Sequence, residues 1–184
     1  MRRIVVSEFV SLDGVVEDPR WTFRFGSEER ERFKLAELAE SDALLLGRVT
    51  YEGFAEAWPR MNDEAGFAGM MNGYPKHVVS ETLHEPLEWN NSTLIKDNVV
   101  ERIADLKRQE GKDIAVHGSA TLVRTLMEHD LVDELRLMVF PVVVGKGKRL
   151  FGEAEDTKAM RLVDAKPLGP NGVLVLTYRP ARDG

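Results

Sequence analysis

The sequence predicts an α/β protein of one domain over residues 1–184, built on a mixed sheet with a parallel core, antiparallel strands at the C-terminal end and helices on both faces. Three observations carry this. Over the first two thirds, short apolar or β-branched runs alternate with stretches of helical periodicity, the pattern of parallel strands joined by right-handed crossovers. Beyond residue 133, the runs ELRLMVFPVVVG, MRLVDAKPL and GVLVLTYRP follow one another with no helix between them. The 184-residue chain, 43% hydrophobic and 30% charged, has the size and balance for a single sizeable core.

The elements follow in order. RIVVSEFV (3–10) is β-branched and reads as a strand, and SLDG (11–14) turns the chain. Ser27 is an N-cap, followed by Glu28, Glu29 and apolar positions at helical spacing, so a helix is expected over 27–40. DALLLG (42–47) is a continuous apolar run and hence a buried strand, with helical character again over 48–57. Residues 58–75, with three glycines and two prolines, read as a long loop of the kind that forms lids or binding segments. KHVVS (76–80) and TLI (93–95) are strands, and Asp97 or Asn98 caps a helix to about 109. DIAVH (113–117) is a strand leading into a helix over 119–129, and Pro170-Asn171-Gly172 is the turn between the last two strands.

Composition narrows the function classes. A net charge of -6 argues against nucleic acid as the main partner. The absence of cysteine removes disulfides, thiolate nucleophiles and Cys-ligated metals. The N-terminal apolar run is broken by Glu8, and no run approaches the roughly 20 apolar residues of a membrane span. No membrane partner is expected, and the default location is the cytoplasm. The four histidines lack metal-ligand spacing, so no metal is expected. Walker A, GxGxxG and GxSxG motifs are absent.

Ligands of open α/β sheets bind at the carboxyl ends of the strands. That rule selects SLDG, GRVTY, Ser80 and HGSATL. At Gly47-Arg48-Val49-Thr50 a strand ends on glycine and a helix starts at once, offering backbone N–H groups, a guanidinium and a hydroxyl to a phosphate. Gly118-Ser119-Ala120-Thr121 has the same design, with Gly118 allowing close backbone approach and Ser119 able to cap the next helix. Each junction also fits a plain helix start. Two in one sheet favour a dinucleotide, whose phosphates lie several ångströms apart. Asp13 sits on a turn at a strand end, placed either as a functional carboxylate or as an ordinary turn former. Lys146, Lys148 and Arg149 form a basic loop, either solvated or touching a phosphate. His117 reads as a hydrogen-bonded structural histidine rather than a general acid.

The motifs SLDG, LLLGRVTYEGF, PKHVVS, IAVHGSATLVRTLM and DELRLMVFPVVVGKGKRLFG, in that order over about 3–179, resemble a stand-alone member of the RibD C-terminal domain family, which has the dihydrofolate reductase-like fold. The resemblance implies a sheet of about eight strands and an NADPH-dependent reductase of a small heterocyclic or carbonyl substrate. It implies that Gly47, Arg48, Val49 and Thr50 meet the cofactor's phosphates. Ser80 then lies near the adenosine 2′-phosphate, and Gly118, Ser119, Ala120 and Thr121 cradle the pyrophosphate. Phe9 and Val10 backbone, with Val16, lie near the nicotinamide, and Asp13 faces the substrate with Trp21 and the 58–75 segment as walls. The rival is an NADP(H)-binding regulatory or structural module without turnover. The apolar C-terminal strands also suit pairing across a homodimer.

Overall fold

In a computed structural model, residues 1–153 and 156–181 are described; residues 154, 155 and 182–184 of the 1–184 domain expectation lie outside them. Eight strands form one sheet: β1 (Ile4–Ser11), β2 (Ser41–Gly47), β3 (Lys76–Val79), β4 (Ser92–Ile95), β5 (Asp113–Val116), β6 (Glu134–Phe140), β7 (Met160–Leu168) and β8 (Val173–Pro180). Their order is β4-β3-β2-β5-β1-β6-β8-β7. The helices are α1 (Glu28–Ala39), α2 (Arg48–Ala57), α3 (Phe67–Gly73), α4 (Val99–Arg108) and α5 (Ala120–Glu128), with short 3-10 turns at Pro19–Phe25 and Trp58–Arg60.

The buried run of β2 shows how sequence becomes layering. Successive side chains on a strand point to opposite faces. Ala43 and Leu45 therefore join Ile4, Val6, Ile114 and Val116 beneath α4 and α5, where Ile103, Leu122, Val123 and Leu126 close the layer. Leu44 and Leu46 face the other way, packing with Leu38 of α1, Tyr51 of α2 and Met71 of α3. Truncating a fully buried leucine such as Leu45 to alanine costs about 2–5 kcal/mol. A third cluster around Phe140, Leu168, Val173 and Val175 covers the C-terminal strands.

Three expectations are corrected. The 58–75 segment contains α3, whose first turn is capped by Asp63: its carboxylate accepts from the N–H groups of Gly66 (2.6 Å), Phe67 (2.8 Å) and Ala68 (2.7 Å). The expected strand 134–145 stops at Phe140, because Pro141 has no N–H for a ladder; it joins the two halves of the sheet, parallel to β1 on one side and antiparallel to β8 on the other. β8 lies antiparallel between β6 and β7, so the C-terminal strands are antiparallel to one another as expected. Finally, Asn98 starts α4 from a left-handed conformation (φ 50°) without a side-chain cap bond.

One irregularity positions the site. β5 pairs with β1 only as far as Val6↔Val116, whereas β1 continues to Ser11 beside β6. The sheet is thus split beyond the end of β5, between β1 and β2.

Candidate functional site

The split opens into a cavity of about 1010 Å³ at the carboxyl ends of the strands. The β2–α2 and β5–α5 junctions meet at its mouth. Gly47 N–H donates to Gly118 O (3.0 Å), and the Gly47 α-carbon abuts Ser119 so closely that a Cβ there would lie 2.3 Å from Ser119 Oγ and 2.8 Å from Ser119 N. α2 begins at Gly47 with no side-chain cap, which leaves its first-turn amides for another acceptor. α5 is capped by Ser119 Oγ, which accepts from Leu122 N–H (3.3 Å). Gly118 has φ +114°, a backbone that L side chains rarely adopt, and a Cβ on it would stand 2.7 Å from Thr50 Oγ1. Two helix N-termini, each with its positive dipole end, thereby share one opening.

Gly47, Arg48, Val49, Thr50, Gly118, Ser119, Ala120 and Thr121 all line the cavity, together with Phe9, Val16 and Ser80. Arg48 stands at the rim, paired through Nη1 with Glu52 Oε2 at 2.9 Å. Val49 is 61% exposed, an apolar side chain held over the mouth. Ser80 is buried and its hydroxyl is already engaged, accepting from the N–H groups of Thr82 (3.2 Å) and Leu83 (3.1 Å). Thr82 and Lys96, passed over in the sequence, line the same end.

Three expected positions lie elsewhere. Val10 is buried in the core and does not line the cavity. Nor does Asp13. Its carboxylate accepts from Ser11 Oγ (2.6 Å), Val144 N–H (3.1 Å) and Gly145 N–H (2.8 Å), lacing the loop after β1 to the loop after β6. The Ser11 hydroxyl, followed by those two amides, holds the carboxyl down at about 2. Glu17 extends the lacing by accepting from Lys148 N–H (3.1 Å), and Lys148 lines the cavity. Trp21 is not a wall either: it packs edge-on against Phe140, centroids 5.6 Å apart.

The inner end of the cavity is built by residues that no motif marked. Phe54, Trp58, Phe67 and Met71 line an apolar lobe, with Trp58 and Phe67 centroids 5.1 Å apart. Beside it, Lys34 Nζ donates to Ser7 Oγ (2.9 Å) and to Glu37, and lies 5.4 Å from the Phe9 ring. An ammonium has three donors, so one remains for a ligand. Burial pushes Glu37 up, but the Lys34 and Arg136 charges beside it outweigh that and the carboxyl stays lowered. His117 Nδ1 lies 3.3 Å from Ser7 O, an acceptor, so the proton sits on Nδ1 and Nε2 keeps its lone pair. Nε2 is buried with no partner. Burial, then the Lys34 charge, hold this imidazole neutral by lowering it to about 4. Glu8 also lines the cavity; its Oε1 is buried without a partner, and burial pushes the carboxyl up to about 8 against the pull of Lys34. A periodicity reading hides Glu8 and Lys34: Glu8 is the single charge on an apolar strand, and Lys34 is one of several charges along α1.

Residues 2–174 match the RibD C-terminal domain family. The Bacillus subtilis (strain 168) protein YyaP is 30% identical over 180 residues, covering 96% of this chain and 94% of that protein. A structure from Shewanella sp. PV-4, named for riboflavin biosynthesis, superposes with a TM-score of 0.78 at 23% identity, covering 98% and 99% of the two chains. The dihydrofolate reductase of Enterococcus faecalis, solved with NADP(H), gives a TM-score of 0.59 at 15% identity over 98% and 97%. Both structural likenesses establish the fold.

Proposed function

We infer that this chain, which belongs to the RibD C-terminal domain family, is a reductase that uses NADPH to reduce a small heterocyclic or carbonyl substrate. The observation that carries the reading is the meeting of two helix N-termini, at Gly47 and Ser119, over one cavity.

The residues present fit the cofactor. The amides of α2 are uncapped, Gly118 removes the side chain that would fill the cradle, and Thr50 offers a hydroxyl at the same point. Arg48 and Lys96 supply cations along the cavity for the phosphates. The fold is shared with a dihydrofolate reductase that was solved with NADP(H). When bound, the cofactor supplies the hydride, and the protein contributes orientation and electrostatics.

The apolar lobe of Phe54, Trp58, Phe67 and Met71 takes the substrate. Lys34 aims its remaining N–H at a substrate oxygen or nitrogen and polarises it, while His117 Nε2 accepts a hydrogen bond. In this arrangement Lys34 stands where a proton is delivered, and Asp13 holds the loops that frame the mouth.

Fluorescence titration tests the reading: NADPH binds with micromolar affinity and NADH at least about tenfold more weakly, since a charge-assisted contact to the extra phosphate exceeds about 1.4 kcal/mol. Equal affinity for the two, or none, overturns it. A substrate panel that follows cofactor oxidation then separates a reductase from a module without turnover.

A further inference from the structure

Glu8 is 8% exposed, and its Oε1 has no hydrogen-bond partner. Its position is set by the split in the sheet. β1 and β5 pair through Val6↔Val116, and two residues further along each chain stand Glu8 and Gly118. A Cβ built on Gly118 would lie 2.7 Å from Thr50 Oγ1 and 3.3 Å from Glu8 Oε1. The hydroxyl and the carboxyl therefore both pack close against Gly118, at the junction where the phosphates are placed in the reading above.

The surroundings determine the form in which this carboxyl can serve. From α1, Lys34 is the charge that acts on it. α2 presents the neutral Thr50, the β5–α5 junction presents Gly118, and the register neighbour on β6 is Leu137. Glu17, Asp18 and Lys148 line the same cavity from the loops. One ammonium, already engaged by Glu37 and Ser7, leaves the burial cost dominant. A carboxylate beside a phosphate would add like-charge repulsion to that cost. A carboxylic acid, by contrast, brings an O–H donor to a place that otherwise holds an unsatisfied buried oxygen.

We propose that Glu8 is a binding residue of the phosphate cradle, acting as a neutral acid whose O–H donates to a pyrophosphate oxygen of the dinucleotide seated in the cavity beside Thr50 and Gly118. This rests on the cofactor reading above. It follows that nucleotide binding holds a proton on Glu8. In the alkaline range, where part of the free protein has lost that proton, the complex takes one up from solvent.

The experiment uses the full chain and NADPH, titrated from about pH 7 to about pH 9.5, above the second phosphate pKa of about 6. Kd is expected to weaken by roughly tenfold per pH unit above about pH 8, and calorimetry in two buffers of different ionisation enthalpy is expected to show uptake of up to about one proton. In Glu8→Gln, Kd is expected to be flat over this range, with no uptake and tighter binding than wild type at the alkaline end. A flat wild-type Kd without proton uptake overturns the proposal, as does a pH dependence that persists in Glu8→Gln. The wild-type uptake decides whatever the variant does to folding. Failure of wild-type NADPH binding at every pH would instead overturn the cofactor reading.

Discussion

Gly47 and Ser119 touch where two helices begin, and no side-chain atom fits between them: a Cβ on Gly47 would lie 2.3 Å from Ser119 Oγ and 2.8 Å from its backbone N. The backbone atom cannot swing aside as a long side chain would. Gly47→Ala is therefore expected to separate the two helix starts, costing about 1–3 kcal/mol by overpacking. For a chain of this size that is a fall of several degrees in Tm. NADPH affinity should fall by at least about tenfold, because the two anion-binding ends no longer share a centre. Thermal melting and titration check both. A variant that melts lower but binds as wild type would detach the glycine from the cradle.

Arg48 stands at the rim with Glu52 as its present partner. Arg48→Ala is expected to narrow the preference for NADPH over NADH by up to about tenfold, the lower end for a charged hydrogen bond at a half-exposed site. An unchanged ratio would move the discrimination to Lys96, the next cation along the cavity.

Asp13 is depressed to about 2 by the Ser11 hydroxyl and the Val144 and Gly145 amides. Its folded value lies below its unfolded one, so its contribution to stability is full above about pH 4 and is lost as pH falls toward 2. Asp13→Asn should melt below wild type at neutral pH, with the gap closing across that acid window. Turnover abolished in Asp13→Asn while the melt is unchanged would give Asp13 a chemical role instead.

His117 is neutral when folded and must gain a proton on unfolding in mild acid. Its folded value, about 4, lies below the ordinary 6.5, so the unfolded chain binds more protons between them and stability falls as pH drops through that window. His117→Gln should flatten the Tm profile between about pH 6.5 and about pH 5, above the range of most carboxylates. An equally steep profile in the variant would show that other groups carry it.

β7 closes one edge of the sheet with Leu162 51% and Val163 45% exposed. Exposed strand edges pair unless they are blunted. A homodimer through this edge is expected by light scattering, and Leu162→Lys should shift it to monomer. A wild-type monomer at micromolar concentration would remove the expectation.

How far the sequence reaches is clear at particular residues. Ser27, Gly47 and Ser119 announced their helix starts because caps and strand-end glycines act locally. Ala43 to Leu46 announced a two-sided strand because apolar runs of that length have few other homes. The mouth of the cavity, made of such junctions, was readable for the same reason. Asp63 capping α3 was missed inside a Gly- and Pro-rich stretch, where turn chemistry masked a short helix. Glu8, Lys34 and Trp58 carry no local signal, because β1, α1 and the turn after α2 come together around the cavity only in the fold. Asp13 stands at the expected end of its strand, but two of its three partners are amides 131 and 132 residues away, which no local pattern encodes.

The early end of β5 has one more consequence. Past Val6, the β5-facing edge of β1 has no strand beside it, although it lies in the middle of the sheet rather than at a border. Past the Ser7 carbonyl, which His117 Nδ1 already faces at 3.3 Å, main-chain groups there lack a strand partner, and a planar guest bearing its own amide would complete the ladder. Such a guest would be held by backbone groups, which most side-chain substitutions leave in place. Under the reductase reading proposed above, recognition of the reactive ring would then persist while the side chains around it drift, leaving Lys34, His117 and the aromatic lobe free to diverge toward other substrates.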